Sequence, residues 1–245
     1  MCERCGNAAI QYFPVARRSI FKLAAGAAAG LASASETFAA PPAAPPKPEN
    51  VMSPDAALKR LMDGNARYVG GVSMRHDFRH EREALSKGQN PFAAVLSCAD
   101  SRIAPEYCFD TARGDLFVCR IAGNFASDEM IASLEYAVAV LNVPLILVLG
   151  HDACGAVDST IKSVKDGTTL PGHLPSLVAA IKPAVDAVQG KPGDMLTNAI
   201  ERNVALNVAA LGSAGPILKP AVDGKKIHVA GGVYKLTSGK VALLS

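Results

Sequence analysis

The sequence predicts an α/β fold, in which a mostly parallel central sheet is flanked by helices within a single domain. Three continuous apolar runs, residues 91–98, 115–122 and 144–151, have the length and composition of strands buried on both faces. Residues 127–143 separate the last two runs, and they open with a Ser127 cap followed by two acidic residues. A helix between two such strands predicts a right-handed parallel crossover. Apolar residues make up 49% of the 245-residue chain, so one sizeable core is expected.

The elements on either side follow from caps and apolar periodicity. A helix is predicted to begin at Ser53-Pro54, because serine caps a helix and proline suits its first turn, and to end near Gly70. The charged segment that follows predicts an exposed helix. The other predicted elements are helices over 156–167, 174–188 (interrupted by Pro183) and 194–211, then a strand and hairpin over 226–244.

The N-terminal residues 1–40 have the layout of an export signal. Arg17 and Arg18 precede an Ala/Gly-rich run over 23–34, and this pair predicts a signal peptide of the twin-arginine type. We therefore expect a protein that is periplasmic or otherwise exported across the cytoplasmic membrane, and that meets the membrane only during export. A buried Ala-rich helix is the alternative, and the Pro-rich linker predicted over 41–52 opposes it.

Charge and cysteine usage exclude other classes of protein. The net charge is only +3, and no basic stripe accompanies it, so no nucleic-acid partner is expected. The six cysteines are too widely spaced for a disulfide framework. Cys2 and Cys5 form a lone C-x-x-C, which is a weak signal. Cys108 and Cys119 are expected to pack as small apolar residues, with a disulfide between them as the alternative.

Two cysteines and a histidine form the strongest candidate site in the sequence. Cys98 and His151 each end a predicted strand, and Cys154 follows three residues after the histidine. Ligands gather beyond the carboxyl ends of strands in such sheets, so these three side chains are expected to meet. Thiolate sulfur and imidazole nitrogen are preferred zinc ligands. Three protein ligands leave the fourth position of a tetrahedral ion open, which is typical of a catalytic zinc site.

Asp100 and Arg102 follow Cys98 at alternate positions. If the chain stays extended, all three side chains point the same way. Asp100 is then placed to accept a hydrogen bond from water on the zinc, or to ligate the zinc itself. Arg102 is expected to keep Asp100 ionised through a bidentate pair. The alternative interpretation is an ordinary surface ion pair in a loop.

The sequence C-A-D-S-R at 98–102, followed by H-D-A-C-G at 151–155, resembles the β-class carbonic anhydrases. The likeness extends from about residue 53 to the C-terminus, so residues 53–245 are expected to form the catalytic domain. It implies zinc ligation by Cys98, His151 and Cys154, and a catalytic dyad of Asp100 and Arg102. The implied reaction is reversible hydration of CO₂ to bicarbonate and a proton, by attack of zinc-bound hydroxide.

The same resemblance implies a substrate pocket and an assembly. Gln89, Phe117 and Tyr136 occupy positions that line the pocket in members of the family. A homodimer or a dimer of dimers is implied, with the active site near the subunit interface and the helix over 53–69 packed across the partner.

Two other functions remain open at this stage. The first is hydrolysis of carbon disulfide or carbonyl sulfide, which relatives with the same ligands perform. The second is a non-catalytic, exported zinc-binding or scaffold protein. The solitary histidines are expected to be surface or packed residues rather than ligands: His76, His80, His173 and His228.

Overall fold

The computed structural model describes residues 50–244 of the chain. Its elements, in chain order, are α1 (Pro54–Val69), α2 (Phe78–Leu85), β1 (Ala93–Ser97), α3 (Pro105–Cys108), β2 (Leu116–Arg120), α4 (Asp128–Ala139), β3 (Leu145–His151), α5 (Gly155–Asp166), α6 (Leu174–Asp186), α7 (Met195–Ser213), α8 (Leu218–Asp223), β4 (His228–Tyr234) and β5 (Val241–Leu243).

The five strands form one sheet in the order β2-β1-β3-β4-β5. The first four are parallel to one another, and β5 runs antiparallel to β4 at one edge. Every residue of β1 and of β3 is buried, as expected for strands covered on both faces. Helix α4 packs on β1 and β2, whereas α7 packs on β3 and β4. The prediction of a mostly parallel sheet flanked by helices is confirmed.

The connections of the sheet place a crevice beside β1. From β1 the chain passes to β2 on one side, whereas β3 pairs with the other side of β1 and continues the sheet to β4. The strand order therefore reverses between β1 and β3, and in such sheets ligands bind beyond the carboxyl ends of the strands at this point. Cys98 directly follows β1, and His151 is the last residue of β3.

Helix α1 begins and ends where its caps predict. The Ser53 hydroxyl accepts a hydrogen bond from the Ala56 amide, and Gly70 follows the last turn. Gly64, in the middle of this helix, lies against the backbone of Phe109. A Cβ atom there would come within 1.8 Å of the Phe109 carbonyl oxygen, so only glycine allows this close approach.

Helix α6 departs from the prediction that Pro183 interrupts it. The helix continues through this proline to Asp186, and the Pro183 carbonyl accepts the next hydrogen bond, from the Ala187 amide. Its neighbours Ile181 and Val185 are fully buried, and their packing offsets the hydrogen bond that proline cannot donate. The short helix α8 was not predicted from the sequence.

The first described residue is already part of the folded body. Asn50 is 2% exposed, although it lies within the linker predicted over 41–52. Its side-chain amide donates to the Asn90 carbonyl and to Asp115, and its oxygen accepts from Arg60 Nη1 at 2.8 Å.

The predicted twin-arginine signal, the Cys2–Cys5 pair and the linker up to residue 49 lie outside the described residues. Within residues 50–244, no helix has the length and apolar character needed to cross a membrane.

Candidate metal centre

Cys98, His151 and Cys154 come together at the carboxyl edge of the sheet. Their ligand atoms all lie within 4.8 Å of one another, and all three residues are buried. Within residues 50–244, they are the group of His, Cys, Asp or Glu side chains arranged to hold a metal ion. Cys154 is the N-cap residue of α5, so the end of β1, the end of β3 and the start of α5 each supply one donor.

The His151 ring is oriented to present one nitrogen to the other two donors. Its Nδ1 lies 2.8 Å from the Asp152 carbonyl oxygen, which only accepts, and we therefore assign the ring proton to Nδ1. Nε2 is buried without a hydrogen-bond partner in the protein. An orphaned buried nitrogen is unfavourable on its own, and a metal ion ligated by Nε2 would satisfy it.

The cysteine pair is polarised toward a thiolate at Cys98. The hydrogen bond from Cys154 is the main cause that lowers the pKa of Cys98 to about 4, and the Gly123 amide adds to it, against the opposing effect of burial. The same hydrogen bond, with burial, raises the pKa of Cys154, because the two sulfurs share a proton when no cation is present. Two sulfurs and one imidazole nitrogen in a buried site suit zinc.

The turn that carries His151 and Cys154 is held from β4. Ala153 adopts a left-handed conformation with φ of 50°, which brings the histidine and the cysteine to one side. The Asp152 amide donates to the Tyr234 carbonyl at 3.0 Å, and its carboxylate accepts from the Leu236 amide at 2.8 Å. These two bonds fix the spacing of the two ligands.

Asp100 and Arg102 form the bidentate pair that the sequence predicts. Arg102 Nε donates to Asp100 Oδ1 at 2.9 Å, and Nη2 donates to Oδ2 at 2.6 Å. Mainly through the side-chain bond to Arg102, the pKa of Asp100 lies well below its usual range. Oδ2 also lies 3.9 Å from His151 Nε2, so the carboxylate borders the metal donors without joining the group of three.

Residues 98–102 do not follow the extended path that would point all three side chains the same way. The chain turns after Asp100, and the Arg102 backbone amide donates to Asp100 Oδ1 at 2.9 Å. The aspartate side chain itself stabilises this turn, and aspartates commonly bind nearby backbone amides in this way in loops. Arg102 therefore reaches Asp100 by folding back, and it also donates to the Ala153 carbonyl at 3.3 Å.

Arg120, the last residue of β2, is a site residue that the sequence did not reveal. Its guanidinium donates to the carbonyl oxygens of Cys98 at 3.1 Å, Asp100 at 2.7 Å and Ile103 at 2.8 Å. It thereby braces the loop that carries the first metal donor and the dyad. Arg120 lies in the apolar run 115–122, and a cation ending such a strand was the one available signal.

The three residues expected to line a substrate pocket are placed differently. Phe117 and Tyr136 contact each other, with ring centroids 6.2 Å apart, where α4 packs on β2. Gln89 is exposed in the loop between α2 and β1. A role in substrate binding stays a prediction for all three.

The remaining cysteines of the described chain are free and buried. The alternative of a disulfide between Cys108 and Cys119 does not occur in the structure. Burial raises the pKa of Cys108 to about 12, so this thiol stays protonated at neutral pH. Both side chains pack in the core, as expected for small apolar residues.

A mostly parallel sheet flanked by helices, with a buried Cys₂His centre where the strand order reverses, is typical of a zinc enzyme. Residues 93–241 match the family model described as carbonic anhydrase. The chain is 37% identical over 192 residues to carbonic anhydrase 2 of Mycobacterium tuberculosis, covering 78% of this chain and 93% of the relative. It is 38% identical over 195 residues to the carbonic anhydrase of Mycolicibacterium smegmatis, covering 79% and 94%.

Solved structures agree with this assignment. The β-carbonic anhydrase CcaA matches with a TM-score of 0.59 and 25% identity, covering 77% of this chain and 95% of that one. Tetrameric β-carbonic anhydrases from Sordaria macrospora share the fold, with a TM-score of 0.61, 24% identity, and coverage of 78% and 98%. The chain belongs to the β-class carbonic anhydrase family. The predictions of a carbonic anhydrase and of a zinc cofactor are confirmed.

Proposed function

We propose that this chain catalyses the reversible hydration of CO₂ to bicarbonate and a proton at the Cys98–His151–Cys154 centre, with Asp100 as the catalytic carboxylate. One observation carries the proposal. The partnerless Nε2 of His151 lies 3.9 Å from an Asp100 carboxylate that Arg102 keeps ionised. A buried donor set for a cation and an ionised hydrogen-bond acceptor thus share one crevice.

The metal donors, Asp100 and Arg102 have different roles in the proposed reaction. Zinc, when held by the three donors, supplies Lewis acidity that makes water nucleophilic near neutral pH. Asp100 accepts a hydrogen bond from the attacking water and so orients a lone pair toward the carbon of CO₂. Arg102 keeps this carboxylate ionised and fixed in direction. The buried surroundings of the donors exclude competing solvent.

A stopped-flow measurement of CO₂ hydration by the zinc-loaded protein tests this function. We expect turnover that depends on the zinc content and that falls sharply in Asp100→Asn, while the metal stays bound. Hydrolysis of carbon disulfide is measured on the same preparation. Turnover of carbon disulfide without CO₂ hydration, or one zinc per chain with no turnover of either, would overturn the proposal.

We further propose that the active unit is a homodimer or a dimer of dimers. Large apolar side chains are exposed around one groove of about 720 Å³, formed by the end of α1, the start of α2 and α3. The most exposed are Tyr107 at 75%, Phe78 at 60% and Val72 at 59%. Apolar patches of this kind usually mark an interface, and a second copy with the same patch would cover them. Light scattering on the wild type and on Tyr107→Lys tests this, with a monomeric wild type as the contrary result.

We also propose that residues 1–40 direct the folded protein across the cytoplasmic membrane by the twin-arginine route. A metal centre assembled from separate strand ends has to fold before it binds zinc, and this route carries folded proteins. Replacing Arg17 and Arg18 with lysines should leave the chain in the cytoplasm with its activity intact. Fractionation of cells that express the two forms decides the matter, and equal export of both would contradict it.

A further inference from the structure

The Cys98 sulfur receives a hydrogen bond from a residue outside the ligand set. The Gly123 amide donates to Cys98 Sγ over 3.3 Å, and this contact is buried. Hydrogen bonds from outside the ligand set commonly set the orientation of a metal ligand and the electron density on it. The position of Gly123 therefore affects the Cys98 sulfur.

Glycine does not hold this position by itself. Gly123 has a φ of +86°, and an added Cβ atom would lie 2.5 Å from Ile181 Cδ1, so no other residue fits without strain. Because glycine has no side chain and a broad range of backbone conformations, its amide direction has to be fixed from outside.

Helix α7 supplies this restraint. Asn203 Nδ2 donates to the Gly123 carbonyl oxygen at 2.8 Å. Asn203 is 2% exposed, on the buried face of α7 beside Ile200 and Val204. A buried carboxamide is unfavourable unless it is paired, and this one uses its donor on a loop 80 positions earlier in the chain.

A second asparagine, one turn further along α7, anchors the first. Asn207 Nδ2 donates to the Asn203 carbonyl at 2.8 Å and to Asn203 Oδ1 at 3.2 Å. Asn207 Oδ1 accepts from the Ala126 amide at 2.7 Å. Two residues of the loop between β2 and α4, Gly123 and Ala126, are thus bonded to the same helix face.

The same helix also lies against the strand that ends in His151. An added Cβ atom at Gly150 would meet Val204 Cγ2 at 2.6 Å, so α7 packs directly on the backbone before the histidine. One rigid helix therefore contacts the chain segments that position a sulfur ligand and the nitrogen ligand.

We propose that Asn203 is a positioning residue for the metal centre, which acts by holding Gly123 so that its amide donates to the Cys98 sulfur. Asn207 supports it by fixing the Asn203 side chain. The inference rests on the metal site of the proposed function, but it concerns how tightly and in what electronic state the sulfur binds the metal, and not the reaction itself.

The test uses the full protein loaded with zinc or with cobalt, and it compares Asn203→Leu with Asn65→Leu. Leucine removes the donor with little change in volume. Asn65 is a matched control, because it is also 2% exposed and its Nδ2 also donates to backbone carbonyls, those of Cys108 and Gly239. Both variants are expected to melt at lower temperature than the wild type.

Of these two variants, only Asn203→Leu is expected to change the metal centre. We expect zinc affinity, from competition with a chelator, to fall about 10-fold to 100-fold, as when outer partners of metal ligands are removed. The sulfur-to-cobalt charge-transfer band should move to longer wavelength, because a thiolate without its amide donor releases electron density more readily. Asn65→Leu should match the wild type in both measurements.

Asn207→Ala provides a milder second variant, with smaller shifts expected in the same direction, and it decides the outcome if Asn203→Leu does not fold. Wild-type zinc affinity and an unmoved cobalt band in the folded variants would overturn the proposal. So would equal changes in Asn65→Leu, which would indicate a general loss of stability. Because neither readout needs CO₂ hydration, an inactive wild type would contradict the proposed function and leave this result interpretable.

Discussion

Arg102 contacts Asp100 through three donors, two from its guanidinium and one from its own backbone amide. The two residues are separated by a single position, so the pair is closed within one turn of the chain. Asp100 Oδ1 accepts two of these bonds and Oδ2 accepts one, which leaves Oδ2 with free acceptor capacity on the side of His151. The geometry makes Asp100 an ionised acceptor at the edge of the metal donors.

The Asp100→Asn variant is expected to keep its zinc and to lose most of its activity. The amide occupies the same space, but it carries no charge and replaces an acceptor with a donor. We expect kcat/KM for CO₂ hydration to fall by about 100-fold or more, the usual contribution of a positioned acid or base. Stopped-flow kinetics and zinc analysis check this. Asp186→Asn, which alters an exposed carboxylate paired with Lys182, serves as the control. Normal turnover by Asp100→Asn would exclude the assigned role.

Replacement of a metal donor is expected to remove zinc and activity together. In Cys98→Ser or His151→Ala the remaining two donors no longer surround the cation, and affinity collapses. Since zinc binds the folded state, its loss should also lower the melting temperature, and a chelator should do the same to the wild type. Calorimetry with and without zinc checks this. A donor variant that retained stoichiometric zinc would show that the ligand set is different.

The metal donors could be predicted from the sequence because two of them lie at the carboxyl ends of parallel strands. Cys98 and His151 end strands that are recognisable as apolar runs, and parallel strands align their carboxyl ends. The path of the chain after Cys98 could not be predicted in the same way, because the Asp100 carboxylate accepts a hydrogen bond from the Arg102 amide and stabilises a turn. The roles of Arg120 and Asn203 could not be predicted, because both bind backbone carbonyl oxygens. Every residue carries such an oxygen, so no sequence pattern identifies the partner.

Arg120 is expected to support catalysis through the loop it braces. Arg120→Lys keeps the charge, but a lysine ammonium cannot span three carbonyl oxygens in the way that the planar guanidinium does. We expect kcat/KM to fall by up to about 100-fold in Arg120→Ala, the effect of small misplacements in an active site, and less in Arg120→Lys. Hydrogen exchange of the peptide over 98–103 should rise in the same order. Unchanged exchange and kinetics in both variants would show that the brace is dispensable.

The buried carboxylate of Asp110 stabilises the fold away from the metal. It is 5% exposed, and it accepts from Arg67 Nε at 2.6 Å and from Ser73 and the Met74 amide. Burial alone would raise the pKa of Asp110, but these hydrogen bonds outweigh it and hold the pKa below its usual range. The residue has a φ of 43°, a conformation that asparagine also tolerates. Asp110→Asn therefore removes the charge without straining the backbone.

Asp110→Asn is expected to destabilise the protein by about 1–3 kcal/mol near neutral pH, because charge-assisted bonds become neutral ones and an amide donor faces Arg67. A carboxyl whose pKa is lowered on folding stabilises the native state fully above its unfolded pKa of about 3.9. The stabilisation is lost as the pH falls through the lower pKa of the folded state. Urea denaturation of zinc-free wild type and variant, from about pH 7 to about pH 3, should show the difference in unfolding free energy shrinking only below about pH 4. A difference that stayed constant with pH would mean that the charge of Asp110 contributes nothing.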